Sequence, residues 1–333
     1  MSGVSSYDDS SSHADPVAKK RLAELWYSEK RLSGLAKFAV AITALNLLGH
    51  FFLGFEQSWA TPLVSLAAAY ATEFAGETFL ARSQGRSPRF AGGPSKLASF
   101  LLSAHISGLA VGMLLYPCEQ LAAIAFASSL AVASKYIVRV SLGPGSGGRG
   151  ATRHVLNPSS FGITATLVLI PTVGIAQPYQ FTENIAGLAD WLLPLIVIGT
   201  GSYLNLKATG RMPLILTWVA AFALQALLRS FIHGTPWVAG LNPMTGFAFI
   251  LFTFYMITDP ATSPAKLRGQ IGFAAAVASM YAVFMELHIV FGLFYALTVV
   301  TAGRGLSIWA ANTRPWARPT PYEIDRAAGN LPS

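Results

Sequence analysis

Ten runs of mostly apolar residues divide the chain, at roughly 34–55, 59–80, 96–116, 118–138, 158–177, 184–205, 212–232, 243–258, 268–286 and 287–303. Most approach the twenty or so residues that a membrane-crossing helix needs. The last two are short and share a tight turn near Glu286-Leu287-His288. Ahead of them, Lys20–Leu32 places Leu22, Leu25, Trp26 and Leu32 at helical spacing between basic ends. That spacing predicts an amphipathic helix lying on the membrane surface over 19–33. Residues 1–18 are rich in Ser and Asp, with no positive flank and no apolar run, so they predict a disordered tail rather than a signal peptide. The pattern as a whole predicts an all-α polytopic membrane domain over 34–303, followed by a polar tail over 304–333.

Composition agrees. Of 333 residues, 53% are hydrophobic and 11% charged, against about 25% charged in a soluble domain. The net charge of +8 would suit a nucleic-acid binder, but the basic residues follow connections rather than one face, which argues against nucleic acid. Lys and Arg collect before the first run (Lys19, Lys20, Arg21, Lys30, Arg31) and in the even-numbered connections (Arg82, Arg86, Arg89 and Lys96, for example), then again after the last run. The odd-numbered connections carry mainly Glu56, Glu119, Glu183, Asp190 and Glu286. Because basic loops stay cytoplasmic, the alternation predicts ten crossings of an inner or plasma membrane with both ends cytoplasmic. Arg229 alone breaks it, and reads either as a partner of Glu286 or as a residue facing a cavity. A single cysteine, Cys118, excludes an internal disulfide, a self-contained iron–sulfur cluster and a thiolate zinc site.

Two phrases repeat: Leu156-Asn157-Pro158-Ser159-Ser160-Phe161 and Leu241-Asn242-Pro243-Met244-Thr245-Gly246-Phe247. Each opens an apolar run, and the charge pattern puts them on opposite sides of the membrane. Asn-Pro alone is an ordinary helix start, with Asn as cap and Pro at the first position. The matched flanking residues in opposed halves point further, to an inverted internal repeat with a site held near the midplane.

Several residues carry candidate chemistry. Gly145–Gly150 spells G-x-G-x-x-G, but it joins two membrane helices instead of a strand and a helix and lacks the Lys-Ser/Thr of a P-loop, so it is no nucleotide fingerprint. Arg149, Arg153 and His154 precede the fifth run, where basic side chains and free helix N–H groups would hold an anion such as a flavin phosphate or an acidic lipid headgroup; the competing reading is a plain positive-inside loop. Thr258-Asp259-Pro260 closes the eighth run, since proline ends a helix. Glu73 and Glu77 share a face one turn apart, and buried acids in a membrane face a partner or a cavity. They read either as an ion or proton path or as structural ion pairs with Lys96, Lys135 or Arg139. His50, His105, His233 and His288 fall on separate runs with no metal-ligand spacing, so a metal cluster is not expected. There is no nucleophile elbow or triad order, which argues against hydrolytic chemistry.

Arg153-His154-Val155-Leu156-Asn157-Pro158-Ser159-Ser160-Phe161-Gly162, taken with Tyr255-Met256-Ile257-Thr258-Asp259-Pro260-Ala261-Thr262-Ser263-Pro264, resembles the flavin-carrying membrane subunit shared by two respiratory ion pumps. One is the sodium-translocating NADH:quinone reductase and the other the Rnf complex; the subunit is the NqrB/RnfD family. The likeness covers about 34–303. It implies ten helices in inverted repeats and an electron-transfer role with ion transport. It also implies a flavin (FMN or riboflavin) near Arg149, Arg153, His154, Asn157, Asn242, Thr258 and Asp259. The Ser/Asp-rich start and Lys135–Arg139 resemble a stand-alone branch associated with enediyne biosynthesis. The family attaches FMN to the Thr of a Ser/Thr-Gly-Ala-Thr element between the two quoted segments, and nothing between Phe161 and Thr258 matches it. The expected flavin is therefore non-covalent. Its expected partners are a soluble reductase or other redox subunits and a quinone-like or polyketide-derived substrate. The alternative is a transporter or channel for a small solute or natural product, because the family's helical arrangement resembles that of urea-type channels. A weaker option is a membrane anchor for biosynthetic enzymes.

Overall fold

In the computed structural model, residues 16–141, 152–177, 184 and 187–313 are described. The predicted tail up to residue 15, Arg149 with its glycine-rich loop, and everything after 313 lie outside them. The chain is all-α, built from α1 (Pro16–Leu48), α2 (Ala60–Ser83), α3 (Pro94–Leu114), α4 (Leu121–Ile137), α5 (Pro158–Leu169), α6 (Leu188–Leu204), α7 (Met212–His233), α8 (Trp237–Leu241), α9 (Phe247–Leu251), α10 (Leu267–Glu286) and α11 (Gly292–Thr313). Wide π turns extend α1 (Gly49–Leu53), α6 (Asn205–Thr209) and α9 (Phe252–Met256). Two short antiparallel pairs close loops: β1 (Leu115–Tyr116) with β4 (Gly174–Ile175), and β2 (Arg139–Ser141) with β3 (Thr152–His154).

Among the described residues five helices are long and apolar enough to cross a membrane, and six if Trp237–Thr245 and Phe247–Met256, bent by 65°, count as one broken span. Their outward faces are apolar, with Phe79, Trp191 and Phe231 more than 70% exposed; a soluble protein does not present such a surface. The chain is thus a membrane protein. Helix α1 runs unbroken from Pro16 to Leu48, so the predicted surface helix and the first apolar run form one rod, and Gly34 at their junction does not break it. At the other end α11 starts at Gly292 and runs to Thr313. The turn before it holds His288 and Phe291 in left-handed conformations (φ 56° and 64°), which ends any helix there, while α11 runs on through Gly303 and Gly305, with no proline to stop it at 303.

The bundle packs through small residues, as membrane helices do. Ala69, Ala104 and Val132 join α2, α3 and α4, and Gly162 of α5 lies so near the Ala127 carbonyl of α4 that a side chain would collide. Elsewhere aromatic rings fill the core. Trp218 and Phe222 of α7 pack on Phe249, Phe252 and Tyr281, and the Trp218 indole N–H donates to Thr253 Oγ1 at 2.9 Å, giving the buried ring its polar partner.

Candidate functional site

The π turn Phe252–Met256 organises the site. A π turn bonds each N–H five residues back, as Ile257 N does to Phe252 O at 3.0 Å, and leaves nearby carbonyls without their ordinary helical partners. Two asparagines from other helices take them up. Asn157 Nδ2 donates to Met256 O at 3.0 Å, and Asn205 Nδ2 donates to Phe254 O at 2.9 Å. Asn157 also caps α5: its backbone is extended (φ −67°, ψ 118°) and its Oδ1 accepts from Ser160 N at 3.1 Å. This one side chain ties the Asn-Pro element to the Thr-Asp-Pro element, about a hundred residues away in the chain.

Past the turn, Asp259 folds the chain on itself. Its carboxylate accepts from Ala261 N at 3.0 Å and Thr262 Oγ1 at 2.9 Å, the self-bonding habit that makes aspartate a turn residue. Three arginines clamp the turn from outside. Arg153 donates to the carbonyls of Pro260 and Ala261, Arg304 to Thr262 O at 2.9 Å, and Arg211 to Ser263 Oγ at 2.9 Å. The arginine head group suits this work, since its several N–H groups lie in one plane.

These elements wall a cavity of about 420 Å³, within the roughly 300–1,000 Å³ of small-molecule sites. Of the residues singled out in the sequence, His154, Asn157, Thr258 and Asp259 line it. Arg153 braces its rim through the Pro260 and Ala261 carbonyls. His154 sits on β3, where burial is the main cause holding its imidazole pKa down at about 4, with Lys135, Arg139 and Arg153 pushing the same way and Asp259 opposing them. A neutral imidazole therefore faces the cavity, one nitrogen donating and the other accepting. Phe38 of α1 and Tyr255 stack at the inner wall, centroids 4.9 Å apart and planes 14° from parallel, and Tyr255 Oη meets Thr200 Oγ1 at 2.8 Å.

Asn242 is elsewhere. It is exposed and helical (φ −49°, ψ −40°), and its side chain caps nothing. An asparagine caps only where an extended backbone lets its side chain fold over the next turn; α8 runs straight into 242, and α9 begins after Gly246 instead. The second Asn-Pro thus opens a short 3₁₀ turn and contributes nothing to this cavity. Glu73 and Glu77 are ion-paired: Glu73 with Lys135 at 2.6 Å, both nearly buried, and Glu77 with Arg86 at 2.6 Å and Arg89 at 2.8 Å. Lys135 Nζ also reaches Ser103 Oγ at 3.3 Å, and Ser103 lines the cavity. Arg229 meets Glu286 at 2.7 Å, and His233 meets it at 2.9 Å. His105 is held between Thr43 and Tyr70 at 2.7 and 2.6 Å. Among the described residues no group of three His, Cys, Asp or Glu side chains is placed to hold a metal ion.

The sequence did not single out Asn205, Arg211, Tyr255 and Phe38 as site residues. Asn205 had a signal: it is an amide that closes an apolar run. Phe38 had none, since one phenylalanine in an apolar helix reads like any other. No protein-family model matches the chain, and no curated protein matches it significantly.

Proposed function

We propose that the chain is an integral membrane electron-transfer subunit that holds a flavin, FMN or riboflavin, without a covalent bond in the cavity of about 420 Å³. The observation that carries this reading is that the Asn157 and Thr258-Asp259-Pro260 elements, the two segments of the family resemblance, line one cavity. The residues fit the cofactor. The volume suits a small aromatic ligand, and the Phe38–Tyr255 stack supplies a flat apolar wall. His154, Ser159 and Thr258 offer uncharged hydrogen-bonding groups to the polar edge of a ring. Bound flavin supplies the capacity to take and give one or two electrons, while the chain supplies position and electrostatics. Asn157 and Asn205 fix the wall, the arginine clamp fixes the Asp259 turn, and the Lys135–Glu73 ion pair lies one hydroxyl, that of Ser103, from the cavity.

In this reading the chain crosses the membrane ten times as an inverted repeat with both ends cytoplasmic. Support comes from which ends meet. The cavity gathers the start of the first run, the start of the fifth, the end of the sixth and the end of the eighth, all assigned to the cytoplasmic side by the charge pattern, against the middle of the third. The contacts Arg229–Glu286, β1–β4 and Gln120–Thr172 join ends assigned to the outer side. Electrons then pass from a cytoplasmic reductase, through the cavity, to an acceptor in the membrane.

The test is an absorbance spectrum of the mildly purified protein, repeated after acid precipitation. A flavin spectrum that moves to the acid supernatant is the expected result. Flavin retained in the pellet would mean covalent attachment, and no flavin in either fraction would replace this reading with transport of a small solute.

A further inference from the structure

A second cavity, of about 260 Å³, adjoins the first and shares Phe38, Ile106, Ser159 and Tyr255 with it. Alone it is smaller than ordinary ligand sites of roughly 300–1,000 Å³; it is an annex. Its chemistry differs from that of its neighbour. None of its lining residues is charged, and its polar groups are Ser159, Thr200 and Tyr255. The other walls are aliphatic, from α1, α3, α6 and α9. It also opens sideways. Ala41, Ala44 and Thr200 are exposed, as are Leu48 at 43% and Ile196 at 51%, and all line it. That opening lies between α1 and α6, at apolar residues of the predicted first and sixth runs, so it faces hydrocarbon rather than water.

We infer that this annex is a binding site, reached from the bilayer between α1 and α6, for an uncharged lipophilic molecule with one hydrogen-bonding end and an apolar chain. A charged group is excluded because nothing in the lining would compensate it. The Tyr255–Thr200 hydroxyl pair, 2.8 Å apart, is the anchor for the polar end: each oxygen keeps acceptor capacity, and the shared proton can turn toward a ligand carbonyl or hydroxyl. The chain lies against Leu45, Leu193 and Val197. The stacked rings of Tyr255 and Phe38 line both chambers, so the bilayer ligand sits across that shared wall from whatever fills the polar cavity. Binding in the annex does not require flavin; only a role for its ligand as electron acceptor rests on the proposed function.

The test uses the full-length protein in lipid nanodiscs, with a monoacylglycerol carrying a photoreactive diazirine on its chain, and mass spectrometry of the labelled peptides. The expected result is label concentrated on Leu45, Leu193 and Val197 above the level at Phe231, a lipid-facing control that is 87% exposed. Ala110→Phe, which fills the annex, brings the three down to the Phe231 level. Ala44→Trp, at the exposed rim, does the same without touching the buried packing, so a folding failure of the first variant leaves the question answerable. The inference is overturned if the annex residues label no more than Phe231, if label survives both plugs, or if a diacyl phosphatidylcholine with the same photoreactive chain labels them equally, since that would make the annex a seat for bulk lipid tails. Flavin content is read separately on the same samples and does not affect these outcomes.

Discussion

Asn157 does two jobs with one amide: it caps α5 and satisfies the Met256 carbonyl left open by the π turn. Removing it costs a cap, typically about 1 kcal/mol, and strands a buried acceptor, about 1–3 kcal/mol more. Asn157→Ala is therefore expected to destabilise the protein by roughly 2–4 kcal/mol, read as a fall in thermal midpoint in detergent. Asn242→Ala, at an exposed side chain that caps nothing, is expected to stay within about 0.5 kcal/mol of the wild type. Equal effects would mean that the two Asn-Pro elements are equivalent after all. His154 gives a pH signature. Its folded pKa, about 4, lies below the ordinary 6.5, so the unfolded chain binds the extra proton first. Its contribution is complete above pH 6.5, is lost as the pH falls toward 4, and changes no further below that. Thermal midpoints of His154→Gln measured between pH 7 and 4 are expected to fall less steeply than those of the wild type; parallel curves would show that His154 is not held neutral.

At the scale of elements, the helices were legible and their irregularities were not. Apolar runs of the right length are dictated by the bilayer, so hydropathy alone located most of the rods. The π turns after α1, α6 and α9 arise from packing between helices, which a single run does not record; the two asparagines that stabilise one of them sit on other helices. The Glu73–Glu77 spacing left open a path or ion pairs with Lys96, Lys135 or Arg139. Of these three Lys135 is found against Glu73, while Glu77 turns to Arg86 and Arg89 in the following loop, which were not among them. That loop folds back onto the end of its own helix, and the spacing within α2 does not encode the fold-back. The Glu73–Lys135 pair is nearly buried on both sides, so Lys135→Met leaves a carboxylate without its counter-charge and is expected to cost about 3–5 kcal/mol. Lys135→Met combined with Glu73→Gln removes both charges and is expected to recover most of the loss; a double variant as unstable as the sum of the singles would mean that the pair is not coupled.

For the whole molecule, the two halves of the sequence argument meet in one place. Four of the helix ends around the cavity are ends that the charge pattern expects on the cytoplasmic side. The site itself was half legible. Asn157, Thr258 and Asp259 were visible because Asn-Pro opens a helix and Thr-Asp-Pro ends one, and His154 because it stands in a basic stretch before the fifth run, whereas the apolar wall of Phe38 and the annex were invisible among so many apolar helices. The most direct measurement uses the native cysteine. Cys118 is exposed in the connection after α3, assigned to the outer side, and Lys207, also exposed, stands next to the cavity-lining Ala208 at the end of α6 that the charge pattern assigns to the cytoplasm. In intact cells a membrane-impermeant maleimide is expected to label the wild type at Cys118 but to leave a Cys118→Ser, Lys207→Cys variant unlabelled until the cells are opened. Labelling of both in intact cells, or of neither, would place the two ends on one side of the membrane and contradict the assembly from which the cavity's cytoplasmic face was argued.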